Sequence, residues 1–232
     1  MDKQEKMQCA KCTQLVCTGG KGEPPSFCPM RTKADVIKKA KAEYNDKEIC
    51  SFAHTAILNN NESWIKDPHD SRPQEVINFA KRMGYKKIGI ASCIGLSREA
   101  GIMATAIENQ GLEAYVHFCK VGIVHKVDDL GLKKEEALVL GAYDPMCHPI
   151  LQALLLNDAE CDMNIAIGQC VGHDSLFLKY SKFPCVSVLC KDRLLGQNPI
   201  AALHLAHGPL YKRLLTKEGA YPRGSIFDEK EK

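Results

Sequence analysis

Two stretches of the chain repeat one design. Ile165-Ala166-Ile167-Gly168-Gln169-Cys170-Val171-Gly172-His173-Asp174-Ser175 reads as a buried strand that ends on a cysteine, turns on glycine and starts a helix. Ile88-Gly89-Ile90-Ala91-Ser92-Cys93-Ile94-Gly95-Leu96-Ser97 is a near copy. Short apolar runs bounded by glycine are strands buried on both faces, and such strands alternating with helices build a parallel sheet.

The chain after Tyr85 follows that alternation. Strands are expected at Lys86 to Ser92, Leu112 to Phe118, Met163 to Gly168 and Pro184 to Leu189. Helices are expected at Ser97 to Asn109, at Ile150 to Leu156, from His173-Asp174-Ser175 onward, and from Asn198-Pro199 through His207. A longer excursion carries Lys133 to Leu140 and then Tyr143-Asp144-Pro145-Met146-Cys147-His148-Pro149, and a shorter helix is expected over Leu210 to Leu215. The tail from Gly219 reads as loosely attached. The fold class expected is α/β, a Rossmann- or flavodoxin-like parallel sheet of about four strands with flanking helices.

The four strands end at Cys93, Cys119, Cys170 and Cys190. All carboxyl ends of a parallel sheet lie on one edge, where ligands bind. Cys147, in the excursion, can lean over the same crevice. Cys93, Cys119, Cys147 and Cys170 are therefore expected to form one cofactor-binding site, with Cys190 in reserve. Cys161 and Cys185, near strand starts, read as core or opposite-edge thiols. The helix starts after Cys93 and Cys170 favour negative charge, which suits a thiolate or an anionic thiolate-ligated cluster. His148 and His173 stand beside these thiols and are the candidate catalytic groups. Lys191 and Arg193 follow Cys190 and can receive an anionic substrate, a solvated loop being the default reading.

Upstream, Cys9-x2-Cys12-x4-Cys17-x10-Cys28-Pro29 has no hydrophobic periodicity and cannot build a core alone. Four thiolates at short spacing suit a tetrahedral metal or a cubane cluster, so Cys9, Cys12, Cys17 and Cys28 are read as a metal knuckle, with zinc and iron–sulfur both open. Residues 32–84 read as helical. One helix opens at Ala34, a second is capped by Asp46 and broken at Asn59-Asn60-Asn61, and a third starts at Arg72-Pro73 with Val76, Ile77, Phe79 and Ala80 inward. Cys50 and His54, four apart, are read as a core thiol and a packed histidine. The organisation expected is thus a Cys-rich module over 1–31, a helical segment over 32–84 and an α/β domain over 85–232.

Composition sharpens this reading. The 232 residues include 12 cysteines, and Met1 to Ala10 is polar and charged, without an apolar leader. A cytoplasmic setting is expected, in which disulfides explain so many thiols poorly and metal or redox chemistry explains them better. No run approaches the ~18 apolar residues of a membrane span. Net charge is +3 and dispersed, with 6% aromatics, so neither nucleic acid nor membrane is expected as a partner. A cysteine phosphatase needs C-x5-R, but Arg98 follows Cys93 one residue short. The G-x-G-x-x-G of a dinucleotide fold is absent from the first strand-to-helix turn. Adjacent His173, Asp174 and Ser175 cannot form a triad, which is assembled in space.

The N-terminal cysteine set, combined with Gln169-Cys170-Val171-Gly172-His173-Asp174-Ser175-Leu176-Phe177 and Lys191-Asp192-Arg193-Leu194-Leu195-Gly196-Gln197-Asn198-Pro199, resembles a family of cysteine-rich proteins of anaerobic bacteria and archaea. That family is labelled only as metal-binding and classed as a domain of unknown function. The resemblance covers essentially the whole chain and implies metal binding in an anaerobic cytoplasm. The Ser92-Cys93-Ile94-Gly95 turn is loosely similar to that of desulfidases, which hold a [4Fe-4S] cluster with three cysteines and leave one iron open for sulfur. The function expected is an iron–sulfur site, [4Fe-4S] in type, serving redox or sulfur-transfer chemistry. Its rival is a non-enzymatic zinc-binding or redox-sensing module with structural zinc at the N-terminal set. Expected partners are a small-molecule substrate or a redox partner protein, and a homodimer is allowed.

Overall fold

The computed structural model describes residues 9–65, 69–136, 144–209 and 214–215. Most of the expected helix Leu210 to Leu215, the tail from Gly219 and part of the Lys133 to Leu140 stretch lie outside those residues. The chain divides into two compact units, Met1–Glu62 and Ser63–Lys232.

The first unit starts with short turns at Cys9–Lys11 and Val16–Thr18, followed by α1 (Pro29–Thr32), α2 (Ala34–Glu43) and α3 (Lys47–Ile65). Cys28 occupies the cap position of α1, with proline at the first turn, where its missing N–H costs nothing. The carboxylate of Asp46 accepts from the backbone N–H of Glu48 at 2.8 Å and of Ile49 at 3.0 Å, the capping role expected of it. Helix α3 then runs straight through Asn59-Asn60-Asn61, which do not end it. Asparagine costs only about 0.7 kcal/mol in a helix interior, too little to stop an established helix. Cys50 and His54 are both exposed, so they are not the core pair expected.

The second unit carries the sheet. Helix α4 (Arg72–Arg82) buries Val76, Ile77, Phe79 and Ala80 and stops at Gly84, whose φ of 75° is the left-handed exit turn. The next elements are β1 (Lys87–Ser92), α5 (Ser97–Asn109), β2 (Glu113–Phe118), α6 (Pro149–Asp158), β3 (Met163–Ile167), α7 (His173–Tyr180), β4 (Cys185–Leu189) and α8 (Ile200–His204). The sheet order is β2-β1-β3-β4, and all pairs are parallel. The inner strands β1 and β3 are buried almost throughout, as near-continuous Ile and Ala runs require of a sheet covered on both faces. Ala91, Ala153, Leu156, Cys161, Ala166 and Phe177 form one core cluster where α6 and α7 meet the sheet. Among the described residues no helix is long and apolar enough to cross a membrane.

Topology and register set the position of the site. The chain leaves β1 toward β2 on one side, then crosses back to place β3 on the other side of β1. The carboxyl ends of β1 and β3 therefore flank the point where the winding direction changes, the favoured crevice of an open α/β sheet. Ser92 pairs with Phe118 on one side and Ile167 on the other, so Cys93, Cys119 and Gly168 leave the sheet at one level. Gly168 has φ +62° and leaves no room for a side chain: a Cβ there would stand 2.0 Å from Leu96 Cδ1.

Candidate functional site

Each thiol is fixed by its own backbone. Cys93 N donates to Ile167 O at 3.1 Å and Cys119 N to Ser92 O at 2.9 Å, extending the ladder past the strand ends. Cys170 O accepts from His173 N and Asp174 N, which seats the turn into α7. The excursion after β2 returns over this edge: His148 N donates to Cys119 O at 2.7 Å and Met146 N to Val124 O at 2.8 Å. The Lys120 ammonium donates to Pro145 O, and Lys126 pairs with Asp144 at 2.6 Å. These bonds hold Cys147 at the crevice.

Cys93, Cys119, Cys147 and Cys170 all line one small pocket. Cys93 and Cys119 are buried, while Cys147 and Cys170 are half-buried. His173 stands on the wall, and Gln152 and Gln169 complete it beneath the thiols. Among the described residues lining the cavity none is acidic. Among the described residues no three Cys, His, Asp or Glu side chains are gathered as a single-ion site.

The charge around the thiols is cationic. A hydrogen bond couples the Cys119 and Cys147 thiols and favours the proton on Cys119. That hydrogen bond is the main reason Cys147 is held down at about 5, with the Lys120 and His173 charges assisting against burial. The same bond, with burial, drives Cys119 above the ordinary thiol range, although the Ile94 N–H donates to its sulfur at 3.4 Å. Arg193 Nη2 donates to Cys170 Sγ at 3.1 Å, a charge-assisted contact that raises the guanidinium further. Lys191 Nζ reaches the Cys93 turn, 3.6 Å from where a Gly95 Cβ would stand.

The other residues singled out by sequence lie elsewhere. His148 caps α6, its Nδ1 accepting from Leu151 N at 3.2 Å, and it is not on the cavity wall. Cys190 is exposed beside Ser187 Oγ at 3.9 Å and does not line the cavity. Cys161 is fully buried in the core cluster, and burial pushes its thiol up to about 11 and that of Cys185 up to about 12. Cys12 and Cys28 are half-buried and Cys9 and Cys17 exposed, without a gathered metal-holding group among the described residues. Two groups escaped the sequence reading. Gln152 is the one polar residue inside the run Pro149 to Leu156, and Gln169 sits between Gly168 and Cys170. An amide in an apolar run signals a buried network.

Residues 28–189 match the family described as "Protein of unknown function (DUF1847)", a span that contains all four cavity cysteines and leaves out Cys9, Cys12 and Cys17. The chain is 37% identical over 198 residues to an uncharacterized protein of Methanocaldococcus jannaschii (MJ0455), covering 85% of this chain and 94% of that one. A crystal structure of Dph2 from Pyrococcus horikoshii with a 4Fe-4S cluster is similar at 18% identity and a TM-score of 0.33, over 62% of this chain and 33% of that chain.

Proposed function

We propose, for a chain that belongs to the DUF1847 family of proteins of unknown function, an iron–sulfur centre held at the strand ends by three or four of Cys93, Cys119, Cys147 and Cys170. The observation that carries the reading is the shared cavity: thiols from three strand ends and one excursion line a single space. Soft thiolate donors suit zinc or iron–sulfur chemistry. Iron and acid-labile sulfide content separates the two.

A bound cluster would supply electron transfer if all four cysteines ligate, and an open iron for sulfur-transfer or Lewis-acid chemistry if three do. The chain's own residues do the rest. Lys120 and Arg193 offset the negative charge of thiolates. Burial of Cys93 and Cys119 keeps water from the inner wall. Gln152 Nε2 donates to Ser92 O at 3.1 Å and His117 O at 2.7 Å, which locks the ends of β1 and β2 together under the thiols. His173, on the wall, can hold or deliver a proton at its imidazole.

The N-terminal set Cys9, Cys12, Cys17 and Cys28 is proposed as a second metal module, structural zinc or an additional cluster. A small molecule or a redox protein is the partner this chemistry calls for. The test is optical and EPR spectroscopy of protein isolated without oxygen. A brown protein with a reducible iron signal supports the centre. A colourless protein carrying zinc alone supports instead the reading of a zinc-stabilised, non-enzymatic module.

A further inference from the structure

Among the described residues, two buried side-chain oxygens have no hydrogen-bond partner, Asn164 Oδ1 and Gln169 Oε1. They differ in setting. Asn164 Oδ1 faces the tight contact at Gly89, where a Cβ would meet it at 2.2 Å. It lies in packed core. Gln169 belongs to the wall of the cysteine cavity and is 5% exposed. A buried acceptor without a donor is unusual in a folded protein, and beside a pocket it offers a place for the donor of a water or a ligand.

The orientation of Gln169 follows from its neighbours. Gln152 must present its amino group to two carbonyls, Ser92 O and His117 O. Its own oxygen is then turned to Gln169, whose Nε2 donates to it at 3.3 Å. Exchanging the two ends of the Gln169 amide would set oxygen against oxygen. The free end of Gln169 is therefore an acceptor, and its missing partner must be a donor.

Two permanent cations stand at the same wall: Arg193 over Cys170 and Lys191 over the Cys93 turn. No acidic side chain among the described residues lines the space. Three of the thiols make a distinct group: the Cys119 thiol is hydrogen-bonded to that of Cys147 and accepts from the N–H of Ile94, next to Cys93. Cys170 is instead engaged by Arg193.

We propose that the wall formed by Gln169, Cys170 and His173, with Arg193 over it, is a subsite for a small anion that carries its own hydrogen-bond donor, while Cys93, Cys119 and Cys147 form the metal-holding wall. The anion's charge is met by the guanidinium and its X–H group by Gln169 Oε1. Hydroxycarboxylates, bicarbonate and hydrosulfide share this chemistry. The proposal rests on the iron–sulfur reading only for the division of the cavity into two walls.

The test is calorimetric titration of the full chain, in iron-free and iron-loaded forms, with glycolate, bicarbonate and hydrosulfide. Acetate is the donor-free match for glycolate. Glycolate is expected to bind roughly tenfold or more tightly than acetate, the range of one well-placed hydrogen bond. Gln169→Leu should erase that preference, and Arg193→Met should weaken every anion. Gln169→Met, of closer shape, replaces the leucine variant if that one fails to fold. Comparison of the three donor anions identifies which of them the subsite takes. Equal binding of glycolate and acetate, or a preference that survives loss of Gln169, overturns the proposal. Loss of iron in Cys170→Ala, with iron retained by the wild type, overturns the two-wall division alone. A wild type that never takes up iron overturns the cluster reading while the anion result still stands.

Discussion

Replacing Gln152 by leucine removes the centre of the polar network beneath the thiols. Gln152 is fully buried and makes three hydrogen bonds: its Nε2 donates to Ser92 O and His117 O, and its Oε1 accepts from Gln169 Nε2. Leucine is similar in volume, so the packing cost is small. Ser92 O keeps the Cys119 N–H at 2.9 Å, and so is not stranded. His117 O keeps the Ser92 N–H that the β1–β2 register gives it, so Gln169 Nε2 is the group that loses its Gln152 partner. At about 1–2 kcal/mol for one buried group so stranded, the loss comes to ~1–2 kcal/mol. For a chain of this size that corresponds to a drop of about 2–8 °C in Tm. Urea unfolding followed by circular dichroism, with thermal melting in parallel, reads both quantities. A loss under about 0.5 kcal/mol would mean that the network does not hold the strand ends together, and the fixed orientation of Gln169 would fall with it.

Three further outcomes follow from the geometry. Gly168→Ala places a Cβ 2.0 Å from Leu96 Cδ1 at a φ of +62°, and should destabilise the protein by ~2–4 kcal/mol in the same unfolding assay. In metal-free protein Cys147 is the thiolate above a pH of about 5 and is protonated below it; mass-spectrometric mapping of iodoacetamide labelling should show its reactivity rising through that pH, and Lys120→Met should move the rise to higher pH because a neighbouring positive charge is lost. Cys161→Ala, deep in the core, should cost roughly 1–2 kcal/mol in stability and leave iron content unchanged, whereas iron loss there would place the site elsewhere.

Much of the sheet was legible because its signals are local. Near-continuous Ile and Ala runs closed by glycine mark β1 and β3, and proline or an acidic cap marks the helix starts. Strand ends in a parallel sheet share an edge by topology, so the meeting of Cys93, Cys119 and Cys170 could be read before any coordinates. Cys190 shows the limit of that rule. It also follows a strand, but the register of β4 shifts beside Ala166 and Ile167, and the thiol ends up exposed. Helix α3 passes through three asparagines because an established helix outweighs a small propensity cost at each. The exposure of Cys50 was hidden for a similar reason: helical spacing tells which residues share a face, and not whether that face is covered. Gln152 and Gln169 escaped because a buried amide is defined by its partners, here the carbonyls of Ser92 and His117, which are 60 and 35 residues away from Gln152 in the chain.

The central claim is that the strand-end thiols hold an iron–sulfur cluster. Iron and acid-labile sulfide should be quantified per chain in anaerobically isolated wild type, Cys119→Ala and Cys190→Ala. The account predicts iron and sulfide together in wild type and in Cys190→Ala, and loss of both in Cys119→Ala. Equal iron and sulfide in all three proteins, or zinc without sulfide in the wild type, would contradict it.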